Sequence, residues 1–326
     1  FRLFKHFEMD GIKRINLIAG NNNVGKSTLL EAIYIYGNRS TDDYFDNIRI
    51  FRGMDNTNIL EMLVTFFYMY DMQNKVTFKI NDTDTFQIYK SEEKNISFNI
   101  SYDKFTLGLI IKQLEKGQEN YEEKYEIDGS ALRKLINYTY TSYLGRGFYY
   151  TNNICEMLSI SIANGNVTRD KIIELLKLLD SRISDFSIGP DSLGLGHDLK
   201  LKLDKDIFFP IRTLGDGINK LIQIILSLYS KPNSILLIDE IENGFYYSFY
   251  PKLWEMLGKV AKETNCQIFA TTHSYECIEG ATVLNENEPE LFGFIRLDRD
   301  KNDNIIPKMY SGETFQYAMD YDWEVR

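Results

Sequence analysis

The stretch Gly20-Asn-Asn-Asn-Val-Gly-Lys-Ser27 constrains this chain more than any other, because it fits G-x-x-x-x-G-K-[ST] at every fixed position. Its glycines let the backbone wrap until successive N–H groups face one anion, and a helix starting at the lysine brings its positive end to the same place. Such a loop needs a strand before it and a helix after it. Arg14-Ile-Asn-Leu-Ile-Ala19 reads as the strand, and Lys26 to Tyr36 carries Leu29, Leu30, Ile33 and Tyr34 at helical spacing. The run therefore predicts a phosphate cradle made by Gly20, Asn21, Asn22, Asn23, Val24, Gly25, Lys26, Ser27 and Thr28. Lys26 is expected to reach the β- and γ-phosphates of ATP, and the Ser27 hydroxyl to ligate Mg²⁺.

A second apolar strand, Ser234-Ile-Leu-Leu-Ile238, ends in Asp239-Glu240. A run this apolar reads as a buried parallel strand, and acids at its carboxyl end lie where open α/β sheets bind ligands. Asp239 is expected to hold Mg²⁺, directly or through water, and Glu240 to polarise the water that attacks the γ-phosphate. A third strand from Gln267 leads through Phe269-Ala-Thr-Thr272 to His273, whose place at the strand end makes it a candidate contact to the γ-phosphate or the water. Leu214-Gly215-Asp216-Gly217 opens an apolar helix, Ile218 to Tyr229, that ends at Lys231-Pro232 just before the Asp239 strand.

The remaining patterning places these motifs. Residues 75–80, 85–89 and 95–100 alternate with period two, with turns at 81–84 and 91–94, and predict an antiparallel meander within 38–130. Helical spacing returns over 131–182, most clearly at 170–180. Strands follow from 183, then a helix at 217–229, a strand at 234–238, a helix at 247–263, a strand at 267–271 and a hairpin pairing Phe292–Leu297 with Asn304–Met309. The expected fold class is α/β, a P-loop NTPase with a mixed, largely parallel core sheet, the β meander and a helical insertion. The expected organisation is a single domain over 1–326, with an N-terminal lobe at 1–130, the insertion at 131–182 and a C-terminal lobe at 183–326.

Composition excludes several alternatives. With 37 Lys and Arg against 47 Asp and Glu the net charge is −10, which argues against a passive coat on nucleic acid. The longest apolar stretch, Ile59 to Tyr70, already contains Glu61, so no membrane span is expected. Cys155, Cys266 and Cys277 form no C-x-x-C pair, and with three histidines they build neither a disulfide framework nor a zinc site. That usage, and the lack of a charged-then-apolar leader, lead us to expect a cytoplasmic protein. Aromatic clusters at 66–68, 138–143 and 148–150 have little Lys or Arg interleaved, Arg146 apart, so ordinary β packing accounts for them better than base stacking.

The order of the motifs resembles that of ABC-type ATPases, and more narrowly the SMC/RecF-like heads and the prokaryotic OLD-type group. The resemblance is carried by 17–33, 213–217, 237–244, 270–274 and the closing segment 315–326; residues 45–205 share only its general character. It implies that Leu214, Gly215, Asp216 and Gly217 are a signature loop acting in trans, completing the γ-phosphate site of a second copy so that two ATPs are sandwiched in a head-to-tail dimer. It also implies that Lys5, in Phe4-Lys-His-Phe7, lies near the nucleotide. The chain departs from the pattern in having Gly215 where transporters have serine and Phe245-Tyr-Tyr247 where a histidine is common, and no glutamine marks the loop that couples ATP to the helical region. The 53 residues after His273 (326 − 273) are expected to hold only the hairpin and a short helix, too few for the nuclease domain that OLD-type proteins often carry. The function implied is an ATPase that dimerises around ATP and switches a partner effector, such as a nuclease or toxin encoded nearby, in anti-phage defence. The alternative is a DNA-repair or DNA-clamp ATPase of the RecF kind, which the negative charge disfavours.

Overall fold

The computed structural model describes residues 1–38, 65–71, 73, 76–80, 84–90, 96–102, 105–111, 121–124, 141–144, 151–191, 196–203, 207–321 and 323. The chain begins with β1 (Ile15–Gly20) and α1 (Lys26–Gly37). Five strands follow, β2 (Val76–Ile80), β3 (Asp84–Lys90), β4 (Ile96–Tyr102), β5 (Phe105–Ile111) and β6 (Tyr121–Lys124). Next come β7 (Thr141–Leu144), α2 (Thr151–Ala163), α3 (Arg169–Lys177), β8 (Asp185–Pro190), β9 (His197–Lys202) and β10 (Phe208–Pro210). The last third holds α4 (Asp216–Ser230), β11 (Ile235–Ile238), α5 (Tyr250–Glu263), β12 (Gln267–Thr271), α6 (Tyr275–Gly280), α7 (Thr282–Asn287), β13 (Phe292–Arg299), β14 (Ile305–Tyr310) and α8 (Gly312–Asp320).

These elements form two compact units. The first comprises Phe1–Phe7, Ser27–Thr139 and Arg299–Ile305. Its sheet is the expected meander, in the order β2-β3-β4-β5-β6 and antiparallel throughout, with Val76 opposite Ile88, Ile88 opposite Ile100 and Ile100 opposite Leu107. The strand sequences are rich in β-branched and aromatic residues, the types enriched in extended backbone. At the start of the chain Arg2 pairs with the buried Glu31 at 3.1 Å and lays its guanidinium over the Phe66 ring at 5.2 Å. The predicted turns at 81–84 and 91–94 lie outside the described residues, apart from Asp84, which opens β3.

The second unit comprises Glu8–Lys26, Tyr140–Asp298 and Ile306–Arg326. Its six-stranded sheet runs β14-β13-β1-β12-β11-β7. β1 lies between β13 and β12 and is parallel to both, with Ile15 beside Phe292 and Ile268; β12 is parallel to β11, and β11 to β7. All six residues of β1 are buried. Asn16 is tolerated there because its amide bonds the carbonyls of Lys13 and Ile268 while its oxygen accepts from the Lys13 N–H. A three-stranded antiparallel sheet, β10-β9-β8, stands apart from the six strands. α4 packs against α2 and α3 and is buried on nearly every side from Gly217 to Ser230, its polar residues Asn219, Lys220, Ser227 and Ser230 included. Pro251 occupies the first turn of α5, where a missing N–H has no helical partner to lose.

One expectation about local structure is corrected. Within the predicted helical insertion 131–182 the chain forms α2 and α3, but Thr141–Leu144 is a strand of the core sheet, paired in register with Ile235–Ile238. Four residues are too few to display a period, and 131–140 and 145–150, with most of the two aromatic clusters there, lie outside the described residues. The two compact units meet along the chain between Lys26 and Ser27 and between Thr139 and Tyr140, among other points. The reason is strand pairing: β1 joins strands from the far end of the chain, so it takes the phosphate loop with it.

Candidate functional site

Parallel strands deliver their carboxyl ends to one edge of a sheet, and β1, β11 and β12 are neighbours, so the three predicted motifs arrive together. The loop after β1 spans Asn21 to Gly25. Gly25 has φ +88° and Asn23 φ +61°, the left-handed values that wrap a loop around a ligand. Gly20 has φ +135°, and a Cβ there would lie 2.4 Å from the Leu297 carbonyl oxygen of β13. Glycine at that point is thus demanded by the adjacent strand. Lys26 is buried, and its ammonium donates to the carbonyls of Gly20 at 2.5 Å and Asn21 at 2.9 Å. Asn21, Asn22 and Asn23 are exposed, Val24 and Gly25 are buried, and Ser27 and Thr28 follow as the second and third residues of α1.

Immediately after β11, Asp239 is buried with its carboxylate fixed from two sides. Thr271 of β12 donates to Oδ1 at 2.6 Å, and Tyr143 of β7 donates to Oδ2 at 3.4 Å. The same Thr271 oxygen accepts the Glu240 N–H at 2.9 Å, so one hydroxyl spans both acids. Glu240 sits at φ +50°, a strained value for a residue with a side chain. Its Oε2 accepts from Asn243 at 2.8 Å, and Oε1 lies 3.7 Å from His273 Nε2. The backbone N–H of His273 donates to Glu242 Oε1 at 2.7 Å. The structure therefore brings Asp239 and Glu240 together through Thr271 and sets His273 beside them, 3.7 Å from the Glu240 carboxylate.

Sequence reasoning missed four members of this group: Thr271, Tyr143, Glu242 and Lys220. Lys220 of α4 is buried, and its Nζ donates to the Glu240 carbonyl at 2.5 Å. Burial pulls its ammonium down to about 8, against the opposing pull of Glu242, Glu240 and Asp239. The available signal was a stripe of polar residues, Asn219, Lys220, Gln223 and Ser227, on an otherwise apolar helix. Beneath this group Cys277 is buried, its thiol pushed up to about 12 chiefly by burial, and its carbonyl accepts from the Trp254 indole at 3.0 Å.

The turn before α4 is open on one side and packed on the other. Leu214 is half-buried, Gly215 and Asp216 are exposed, and a side chain on Gly215 would meet nothing within 4 Å. Gly217 backs on its own chain. A Cβ there would come within 2.5 Å of the Gly244 carbonyl oxygen, and Gly244, at φ +87°, packs in return on Asp216 and Gly217. Just beyond, Tyr246 and Tyr247 are exposed, their rings 4.5 Å apart. Lys5 is exposed in the first unit.

The donor set fits a phosphate and a divalent ion. A loop of positive-φ residues ends in a lysine whose donors turn back on the loop's own carbonyls, and across the sheet edge stands a carboxylate held rigid by two hydroxyls. Among the described residues no cluster of three or more His, Cys, Asp or Glu side chains could hold a metal ion, and a hard cation bound through one or two protein oxygens takes phosphates and water as its other ligands. No helix among the described residues is long and apolar enough to cross a membrane.

Comparison with known proteins places this arrangement. Residues 15–279 match the family described as "AAA domain, putative AbiEii toxin, Type IV TA system". An "ATP/GTP phosphatase" of Helicobacter pylori is 24% identical over 360 residues, covering 97% of this chain and 95% of its own. Among solved structures, an SMC head bound to the C-winged helix domain of ScpA superposes with a TM-score of 0.54 at 11% identity, over 96% of this chain and 97% of that one. The Smc head of Pyrococcus furiosus, with an extended coiled coil and the C-terminal domain of ScpA, gives 0.52 at 10% identity, over 98% and 97%. At such identities the likeness is one of fold, that of a P-loop ABC-type ATPase head.

Proposed function

The chain belongs to the AAA-domain family that its residues 15–279 match, and on that premise we propose that it binds ATP with Mg²⁺ and hydrolyses it at the edge formed by β1, β11 and β12. The observation that carries this reading is the pair of hydrogen bonds by which Thr271 fixes both Asp239 and Glu240 beside His273, at the ends of β11 and β12, the two strands next in sheet order after β1. The backbone N–H groups of Asn21 to Gly25 and the Lys26 ammonium hold the phosphates, Lys26 leaving its loop carbonyls to do so. Ser27 and Asp239 hold Mg²⁺, which neutralises charge on the phosphate oxygens. Glu240 accepts the proton of the attacking water, and His273, within reach of the same carboxylate, meets the γ-phosphate or the water.

In this reading the exposed Gly215–Asp216 turn, with the positive end of α4 behind it, completes the γ-phosphate site of a second copy, so ATP closes a head-to-tail dimer and hydrolysis releases it. The output is a change of state passed to an effector protein in prokaryotic anti-phage defence. The OLD-type resemblance and the toxin–antitoxin wording of the family description support that setting.

The test is Glu240→Gln. That variant keeps the phosphate contacts, binds labelled ATP as the parent does and accumulates as a dimer with ATP. Its turnover falls by ~10²–10⁴-fold, the ordinary cost of losing a general base. Hydrolysis by the variant at the parental rate removes Glu240 from the role.

A further inference from the structure

We propose that Lys220 is a positioning residue: it holds the backbone of Glu240 in its left-handed conformation and ties that conformation to the Gly215–Asp216 turn at the head of its own helix. The inference rests on the reading of Glu240 as the group that activates water. A buried lysine is costly unless something uses its charge, and its nearest polar neighbours on α4, Asn219 and Gln223, carry no charge to balance it. Its single described hydrogen bond is to a main-chain oxygen, that of Glu240.

That oxygen belongs to a residue at φ +50°, which persists only where its surroundings over-determine it. The constraint is visible at both ends of the residue. Thr271 of β12 takes the Glu240 N–H, and Lys220 of α4 donates to the Glu240 carbonyl. Between these two anchors the direction of the Glu240 side chain is set, and with it the approach to His273. The charge is used as well. Glu242, Glu240 and Asp239 all lie within the electrostatic reach of Lys220, and Glu242 keeps one buried oxygen, Oε2, that no hydrogen bond satisfies. A cation opposite these three carboxylates lets them coexist on one short loop.

The connection to the turn is mechanical. Lys220 follows Asp216 by four residues, so ~6 Å of helix separates the turn from the ammonium. Gly217 meets Gly244 backbone to backbone, so the head of α4 and the loop that carries Glu240 move as one body. A ligand seated on Gly215 and Asp216 thereby acts on the Glu240 main chain through Lys220.

The experiment compares Lys220→Met and Lys220→Arg with the parent and with Glu240→Gln, measuring equilibrium binding of labelled ATP with Mg²⁺ together with kcat and KM. Lys220→Met is expected to bind ATP within ~threefold of the parent while its kcat falls ~10- to 100-fold, the signature of an interaction that matters only in turnover. Lys220→Arg, which keeps a cationic donor, is expected to recover most of that loss. A merely structural lysine would lower affinity and kcat together, and that result overturns the proposal. So does a parental kcat in Lys220→Met, or a Lys220→Arg protein as slow as Lys220→Met. If Lys220→Met loses its thermal transition, Lys220→Gln is judged by the same criteria. The two readings fail separately: a parent that hydrolyses nothing, or a Glu240→Gln protein that turns over normally, removes the proposed function, whereas a dead Glu240→Gln beside a fully active Lys220→Met removes only the role of Lys220.

Discussion

Replacing Thr271 with valine removes one oxygen and leaves a β-branched side chain of nearly the same volume on a fully buried strand, so the loss is confined to two hydrogen bonds. One is charge-assisted, to Asp239 Oδ1 at 2.6 Å, and such bonds contribute ~1.5–3 kcal/mol. The other takes the Glu240 N–H at 2.9 Å, whose loss costs ~1 kcal/mol. Together they predict that Thr271→Val destabilises the second unit by about 3 kcal/mol, a shift of roughly 1 M in urea midpoint for an m-value near 3 kcal/mol per M. Trp254, fully buried in the same unit, reports the transition by fluorescence. Thr271→Ser supplies the control: it keeps the oxygen and gives up one methyl, ~1 kcal/mol. ATP turnover should fall at least tenfold in the valine variant, because both acids lose their shared anchor. A valine variant with a midpoint at or above that of the serine variant refutes the assignment of this hydroxyl as the link between Asp239 and Glu240.

Three further outcomes are expected. Lys26→Ala should lose tight ATP binding in an equilibrium assay, and Gly215→Arg, which grows into open space, should bind ATP normally yet fail to hydrolyse it; mixed in equal amounts they should recover ~25% of parental activity, since half the dimers are mixed and each carries one intact site of two. Gly217→Ala should destabilise the fold by ~1–3 kcal/mol as its Cβ meets the Gly244 carbonyl, read as a lower urea midpoint, whereas Gly215→Ala, at the N-cap of α4 with no clash, should cost ~1 kcal/mol or less. Cys155, Cys266 and Cys277 are all buried, and burial raises the thiols of Cys155 and Cys277, so a colorimetric thiol titration at neutral pH should find almost none until the protein is unfolded and then three.

The parts legible in the sequence were those where local pattern and chemistry coincide. The apolar run into Gly20 and the run into Asp239 each combine a buried strand with the residues at its end, and both strands formed with boundaries within a residue or two of expectation. Strand β7 was illegible because Thr141-Ser-Tyr-Leu144 is too short to show alternation, and only its pairing with β11 makes it a strand. Lys220 was hidden by the ordinary presumption that a lysine marks the wet side of a helix; α4 has no wet side, a fact of tertiary packing. Gly217 shows the limit from the other direction. A glycine in a turn before a helix reads as room for a ligand, and here the room is taken by the chain's own Gly244. Glu242 and Tyr143 come to the site by sheet order, which no spacing along the chain encodes.

The place of β1 also sets the order of events while the chain is being made. Ile15–Gly20 leaves the ribosome early, but its partners are Ile268–Thr271 and Phe292–Leu297, about 250 residues later, a separation that makes the pairing slow and late. Until those partners emerge, β1 is an apolar strand with both edges open, a hazard for aggregation and a target for chaperones. Gly20, the first residue of the phosphate loop, lies against the Leu297 carbonyl, so the loop takes its final shape only once that late strand is in place. A chain interrupted before residue 297 therefore lacks the strand on which Gly20 packs.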